Sequence, residues 1–290
     1  MLEPLRTVRS RWPAYLSGGV TLILLVALAR ELFRGGLDGL EAALPTNPLF
    51  YIVFVAIYAV QPVADYIIFR KLWGLPPSGI IPILRKMVAN EVLLGYSGEA
   101  YFYAWARTKK QMVAAPFAAI KDVSILSAVV GNVFTLIMLG IAMPFAYQLL
   151  PANLVNPIVS SAAVIMLLSL AIIFFRGRLL SLSGPELRWV FTAHMVRTLV
   201  YTGLLSLCWH LALPEVPLSI WIILVTSRQL VARLPLIPNK DIVFANLALV
   251  MVGAGGTVAQ LIGITVALTL LCHGLMLLLT SLPQLRRTSD

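Results

Sequence analysis

The sequence predicts an all-α protein: a polytopic membrane helix bundle of about six full spans with two interrupted, re-entrant helical hairpins. Three observations carry this. Hydrophobic residues make up 60% of the chain, charged residues only 12%, and mean hydropathy is +0.92. Average soluble domains carry roughly twice that charge, so the charge is too sparse to cover an aqueous surface of 290 residues. The apolar runs are continuous, whereas barrel strands alternate polar and apolar. Finally, two apolar stretches are broken at their middle, with arms shorter than the ~20 residues of a full span.

Arg6, Arg9 and Arg11 precede the apolar run Tyr15 to Ala29. Ala27-Leu28-Ala29 resembles a signal cleavage site, but with so much apolar sequence downstream a retained signal anchor is expected. That puts the N-terminus in the cytoplasm. The loop 30–47 mixes both signs of charge and suits the outside. Pro48 to Phe69 is the second span, with Gln61, Pro62 and Asp65 inside it and Arg70-Lys71 closing it on the cytoplasmic side.

After the stiff turn Trp73-Gly74-Leu75-Pro76-Pro77 comes the first hairpin, Ser78 to Lys110, broken at Gly95-Tyr96-Ser97-Gly98. Basic residues stand on both arms: Arg85 and Lys86, then Arg107, Lys109 and Lys110. Like charge at both ends fits a hairpin that enters the bilayer and returns. Broken backbone at that depth is tolerated only inside protein or beside a water-filled cavity, so this stretch is expected to line one.

Val123 to Leu150, Ile158 to Phe175 and Glu186 to Leu213 are the next three spans, the last carrying His194 and Arg197. The second hairpin begins at Leu218 and breaks at Pro235-Leu236-Ile237-Pro238-Asn239-Lys240-Asp241, a strong helix stop. A pair of short true crossings is the competing topology there. Val258 to Leu282 is the last span, and Arg286-Arg287 places the C-terminus inside.

The two hairpins echo one another. Val88-Ala89-Asn90 precedes the first break and Val231-Ala232-Arg233 the second, 143 positions on, and an acid follows each, Glu99 and Asp241. The whole is read as one integral membrane domain, 1–290, with pseudo-repeat halves at about 15–150 and 155–283. Three spans lie between the hairpins, so the second would enter from the opposite face. Interrupted segments at matching places in two halves are a sequence pointer to a transporter's binding site.

Charges inside a bilayer cost at least about 2.5 kcal/mol each on insertion scales, so those at the breaks are expected to be paired or used. Glu99 follows Gly98 directly; a headgroup contact or a proton acceptor inside a cavity competes with a plain helix-start acid. Arg107 lies eight residues after Glu99 on the same helical face, where a snorkelling edge arginine is the bland alternative. His194 and Arg197 share a face, and Arg197 is the better candidate for a buried cation. Asp65 is expected to pair with a hairpin cation, a structural role. Lys240 and Asp241 are expected to neutralise one another or to hold a zwitterionic or anionic group. The dense Tyr96, Tyr101, Tyr103 and Trp105 read as an interface belt ahead of a stacking platform.

The net charge of +10 is explained by cytoplasmic loops; no nucleic-acid module is present, and nucleic acid is not an expected partner. Cys208 and Cys272 sit in apolar runs with no zinc spacing. No HExxH helix, GxSxG turn or Gly-rich phosphate loop occurs, and His194, His210 and His273 are scattered. No enzyme, metal or cofactor is expected.

Asn90-Glu91-Val92-Leu93-Leu94-Gly95-Tyr96-Ser97-Gly98-Glu99 and Arg233-Leu234-Pro235-Leu236-Ile237-Pro238 resemble the two motifs of a known family. It is the flippase-like transmembrane region of lysylphosphatidylglycerol synthases and their stand-alone relatives. The likeness implies a bacterial inner-membrane protein that moves a lipid between leaflets. The sequence departs from the pattern where Asn239, Lys240, Asp241 and Ile242 replace a glycine-rich turn. There is no room for the family's soluble aminoacyl-transferase domain.

The expected function is therefore a flippase-like translocase of a lipid or lipid-linked glycan. A polar cavity between the hairpins would hold an anionic or phosphate-bearing headgroup. The candidate binding residues are Asn90, Glu91, Tyr96, Glu99, Arg107, Arg197, Arg228, Arg233, Asn239, Lys240 and Asp241. The alternatives are a non-transporting scaffold of a lipid or glycan synthase in the same membrane, favoured by the altered second motif, and, behind it, an intramembrane lipid-modifying enzyme.

Overall fold

The computed structural model describes residues 44–92, 96–110, 114–149, 174–233, 240–252 and 256–285, with isolated positions between 160 and 170. The span expected at Tyr15 to Ala29 lies outside the described residues, as does half of that at Ile158 to Phe175. Among the described residues the regular structure is entirely helical. Eight helices of more than ten residues are present: α1 (Pro48–Trp73), α2 (Ile80–Val92), α3 (Ser97–Lys110), α4 (Ala114–Leu149), α5 (Gly184–Ala212), α6 (Leu218–Ala232), α7 (Lys240–Val252) and α8 (Thr257–Leu285). Four of them, α1, α4, α5 and α8, are long and apolar enough to cross a membrane.

Local chemistry sets the ends. Asn47 caps α1 by accepting from Leu49 N at 3.0 Å, and Pro48 follows where its missing N–H costs nothing. Gly74 ends the helix at φ 61, a left-handed position that suits glycine, and its N–H returns to Arg70 O. Before α5, Ser183 donates its N–H and its hydroxyl to Glu186 Oε2, at 2.9 and 2.7 Å. Asp122 of α4 anchors the same corner by accepting from Ser181 N and Leu182 N.

Each hairpin is two half-length helices tied across a break. In the first, Asn90 Oδ1 accepts from Gly98 N and Ser97 Oγ donates to Ala89 O, both at 2.7 Å. In the second, Lys240 Nζ donates to Ala232 O at 2.9 Å. The two side-chain-to-carbonyl ties occupy matching places: Ser97 and Lys240 are 143 positions apart (240 − 97), and so are Ala89 and Ala232 (232 − 89). The starts of α4 and α8, Ala114 and Thr257, keep the same interval (257 − 114).

Helix directions follow from the cross-contacts. Asn47 Nδ2 donates to Leu211 O, Cys208 Sγ to Phe50 O, and Lys71 Nζ lies 5.9 Å from the Trp189 ring, so α1 and α5 run antiparallel. On α4 and α5 the contacts ascend together: Val123 with His194, then Ser127 with Arg197. These two helices run parallel. Helix α4 packs on α6 through Thr226 and Met138, and α8 packs on α2 through Arg85, which donates to Thr280 O.

Two apolar clusters flank the middle of the bundle. One gathers Phe54, Trp209, Trp221 and Phe244, where α1 and α5 meet the second hairpin. The other gathers Phe69, Ile83, Phe102 and Val190 around the first hairpin. Along α1 and α5 the polar residues fall between these clusters. The outer faces of the helices carry bare apolar side chains such as Ile52, Val55, Val250 and Leu271, as lipid contact requires.

Gly98 shows why the first break needs a small residue: a Cβ there would overlap the Lys86 carbonyl oxygen and meet Asn90 Oδ1 at 2.8 Å. Gly98→Ala is expected to lower stability by about 1–3 kcal/mol, the usual scale of over-packing. A thermal unfolding series in detergent checks this; an unchanged midpoint would contradict the close approach.

Candidate functional site

A cavity of about 510 Å³ opens between the two hairpins and the middles of α1, α4 and α5. Its lining is strongly charged. Asp65, Lys86, Glu91, Glu99, Arg197, Arg228, Arg233, Lys240 and Asp241 all face it, with His194, Asn90, Asn132, Ser127, Tyr96 and Tyr201 among the polar remainder. Each charge arrives by a local cause. Asp65 and Gln61 are one turn apart on α1. Lys86 and Asn90 are one turn apart on α2, and His194 and Arg197 share one face of α5.

Asp65 is the centre of the pairing. It is 2% exposed; Lys86 Nζ donates to its Oδ2 at 2.7 Å, and Arg197 Nη1 stands 3.7 Å from its Oδ1. Lys86 also lies 3.5 Å from Glu99 Oε1. The α1 carboxylate thus joins hairpin and span, in line with the pairing expected from sequence. Across the cavity Arg228 Nη2 donates to Asp241 Oδ1 at 2.6 Å and lies 4.7 Å from the Tyr201 ring centre.

Three groups stand apart. Arg233 makes no ion pair or hydrogen bond among the described residues, and its Nε is buried without a partner. Its guanidinium lies against Gly131 of α4, where a Cβ would overlap Nη1. Burial and the positive charges of Arg197 and Arg228 pull its pKa down to about 10. Glu99 Oε2 is buried without a hydrogen bond. Glu91, on the non-crossing helix α2, has no cation in ion-pair contact among the described residues; burial and then the Asp241 carboxylate push its carboxyl up to about 7.

Some expectations are corrected. Arg107 is exposed on α3 and does not line the cavity. It shares a face with Glu99, but eight residues is ~12 Å of helix rise, enough to carry it past the opening. Lys240 and Asp241 do not neutralise one another: successive helical residues point apart, so Asp241 meets Arg228 and Lys240 meets Ala232 O. Asn239 lies outside the described residues. Asn90 lines the cavity, but its carboxamide also holds the break. Tyr101, Tyr103 and Trp105 pack against the Phe69 and Phe102 cluster, while Tyr96 lines the cavity with φ 71, a strained value for a bulky residue.

Lys86, Ser127, Gly131 and Asn132 are site residues that the sequence reading did not select. Lys86 had a readable signal, its one-turn spacing to Asn90; Gly131 had none, since only packing reveals why it is bare. No group of three metal-ligating side chains stands together among the described residues.

Set beside known proteins, the chain matches no family model, no curated protein and no solved structure.

The Glu91 geometry has a pH consequence. Between about 4.5 and about 7 the folded chain keeps a proton that the unfolded chain has lost, so stability falls as pH rises through that window. The Glu91→Gln variant is expected to lack this fall. Thermal midpoints of both proteins against pH check it; parallel curves would contradict it.

Proposed function

We propose that the chain is a membrane translocase for a lipid or lipid-linked glycan, flippase-like, with the headgroup held in the cavity between the two hairpins. The observation that carries the reading is the cavity itself. Nine Asp, Glu, Lys and Arg side chains, five basic and four acidic, line it in a bundle whose outside is apolar. Charges this dense inside an apolar bundle mark a substrate or ion path. An amphiphile suits the shape of the problem: its polar end needs such a cavity and its tails need none.

An inverted repeat is part of the proposal. In this reading α1 to α4 and α5 to α8 are equivalent halves of four helices each. Three observations support it: the 143-position interval between the starts of α3 and α7 and of α4 and α8, the matching ties across the two breaks, and the antiparallel packing of α1 on α5. The contacts also exchange between halves, α4 on α6 and α8 on α2. The parallel packing of α4 and α5 is consistent with the span expected from sequence between them. That crossing at 158–175 and a first span at 15–29 would complete six. Placement in the inner membrane with both termini cytoplasmic rests on the basic residues at the span ends. The resemblance of the two break motifs to the lysylphosphatidylglycerol synthase transmembrane region points the same way. A scaffold has no need of a large charged cavity, and an enzyme would need a paired nucleophile and base, which the described cavity lining does not offer.

Reconstituted vesicles with leaflet-resolved labelled lipid test the proposal. The wild type is expected to move lipid, and the Glu99→Gln, Arg233→Gln double variant to lose at least about 10-fold in rate, the worth of one charge-assisted contact. Equal movement by both would count decisively against it.

A further inference from the structure

The charges around the cavity are unevenly spread, and the α4 wall is where they fail to cancel. Ser127 and Gly131 lie one turn apart on that wall and share a face. Arg197 reaches across from α5 and donates from Nη2 to Ser127 Oγ at 3.0 Å. Arg233 reaches from the end of α6 and lies over Gly131. Two guanidiniums are thus brought to neighbouring turns of one helix. The carboxylate nearest Arg197, Asp65, is already taken at 2.7 Å by Lys86. Arg233 has no anion at all among the described residues. On this side Lys86, Arg197 and Arg233 face Asp65 and Glu99, leaving one positive charge over. Opposite, Arg228 pairs with Asp241, and Lys240 and Glu91 add one group of each sign.

Gly131 sharpens the point. Glycine inside a helix costs about 1 kcal/mol relative to alanine. Here it leaves the space that the Arg233 fork fills. A buried cation held beside a second one without a counter-charge is unfavourable, unless an anion arrives to join them.

We infer that the α4 wall is an oxyanion subsite: Arg233 and Arg197, with the Ser127 hydroxyl between them, bind the phosphate group of the translocated headgroup. The inference rests on the translocase reading and narrows its substrate to phosphate-bearing amphiphiles. Guanidinium forks match phosphate oxygens two at a time. Donors converging from α5, α4 and α6 suit a tetrahedral oxyanion better than a planar carboxylate. One singly charged phosphate also cancels the excess positive charge.

The test is equilibrium binding to the full chain in a neutral detergent, with three probes. They are a short-chain phosphatidylglycerol, the diacylglycerol of the same chain length, and inorganic phosphate. The phospholipid is expected to bind at least about 10-fold more tightly than the diacylglycerol, the scale of one charge-assisted contact. Arg233→Gln and Gly131→Ala should each erase that preference and leave diacylglycerol binding unchanged. Gly131→Ala keeps every charge and favours the helix, so unfolding would not explain its effect; thermal midpoints of both variants verify that. Equal binding of the two lipids, or a preference that survives both variants, would overturn the inference. Inorganic phosphate competing as well as the phospholipid would assign the subsite to the free ion and overturn the headgroup assignment. None of these readouts measures translocation. A phosphate preference without lipid movement in vesicles would sink the translocase reading alone, and movement without the preference would sink the subsite alone.

Discussion

The carboxylate of Asp65 is the interaction on which the middle of this molecule depends. It sits on α1, almost wholly buried, and receives Lys86 from the first hairpin and approaches Arg197 from α5. Removing a charged group from water costs several kcal/mol even after relaxation. Here a single anion offsets two such costs and fixes three elements against one another. Further polar side chains line the cavity beside it. The hairpins can be half-length for the same reason: their broken ends face polar side chains instead of hydrocarbon.

In the proposed repeat, with its interval of 143 positions, the two halves would share a scaffold but not a chemistry. At the position in α6 that matches Lys86 stands Gln229, which donates to Thr202 at 3.1 Å, and the position matching Asp65 is Cys208, buried in an apolar cluster. One half carries a charged clamp and the other a neutral one. Its own ion pair, Arg228 with Asp241, stays inside the second hairpin. The first hairpin is therefore tied to the long helices by ion pairs, and the second by the Gln229 hydrogen bond and by Arg228 over the Tyr201 ring. Arg233 is the cation that neither arrangement satisfies.

The sequence made the coarse plan legible because lipid imposes it. Long apolar runs and basic span ends located the four helices that can cross, and the Gly-rich and Pro-rich breaks located the hairpins. The site was legible in part. Glu91, Glu99, Arg197, Arg228, Arg233, Lys240 and Asp241 were marked by charge in apolar surroundings, and all line the cavity. Pairing was not readable beyond Asp65. Asp241 has Lys240 beside it in the chain but Arg228 beside it in space, because neighbouring helical residues diverge. Arg107 failed because periodicity gives the face of a helix and not how far along it a cavity extends. Ser127 and Gly131 are ordinary residues of an apolar run, and only the approach of α5 and α6 gives them meaning.

A cavity open to water within an otherwise lipid-facing bundle is the central requirement of the proposed function. Replacing both native cysteines and placing a single cysteine at Ser127, in membranes, tests that most directly. A small charged, membrane-impermeant thiol reagent should label Ser127→Cys and leave Leu271→Cys, on the bare apolar face, unmodified. Label at Leu271→Cys with none at Ser127→Cys, from either side of the membrane, would contradict the account.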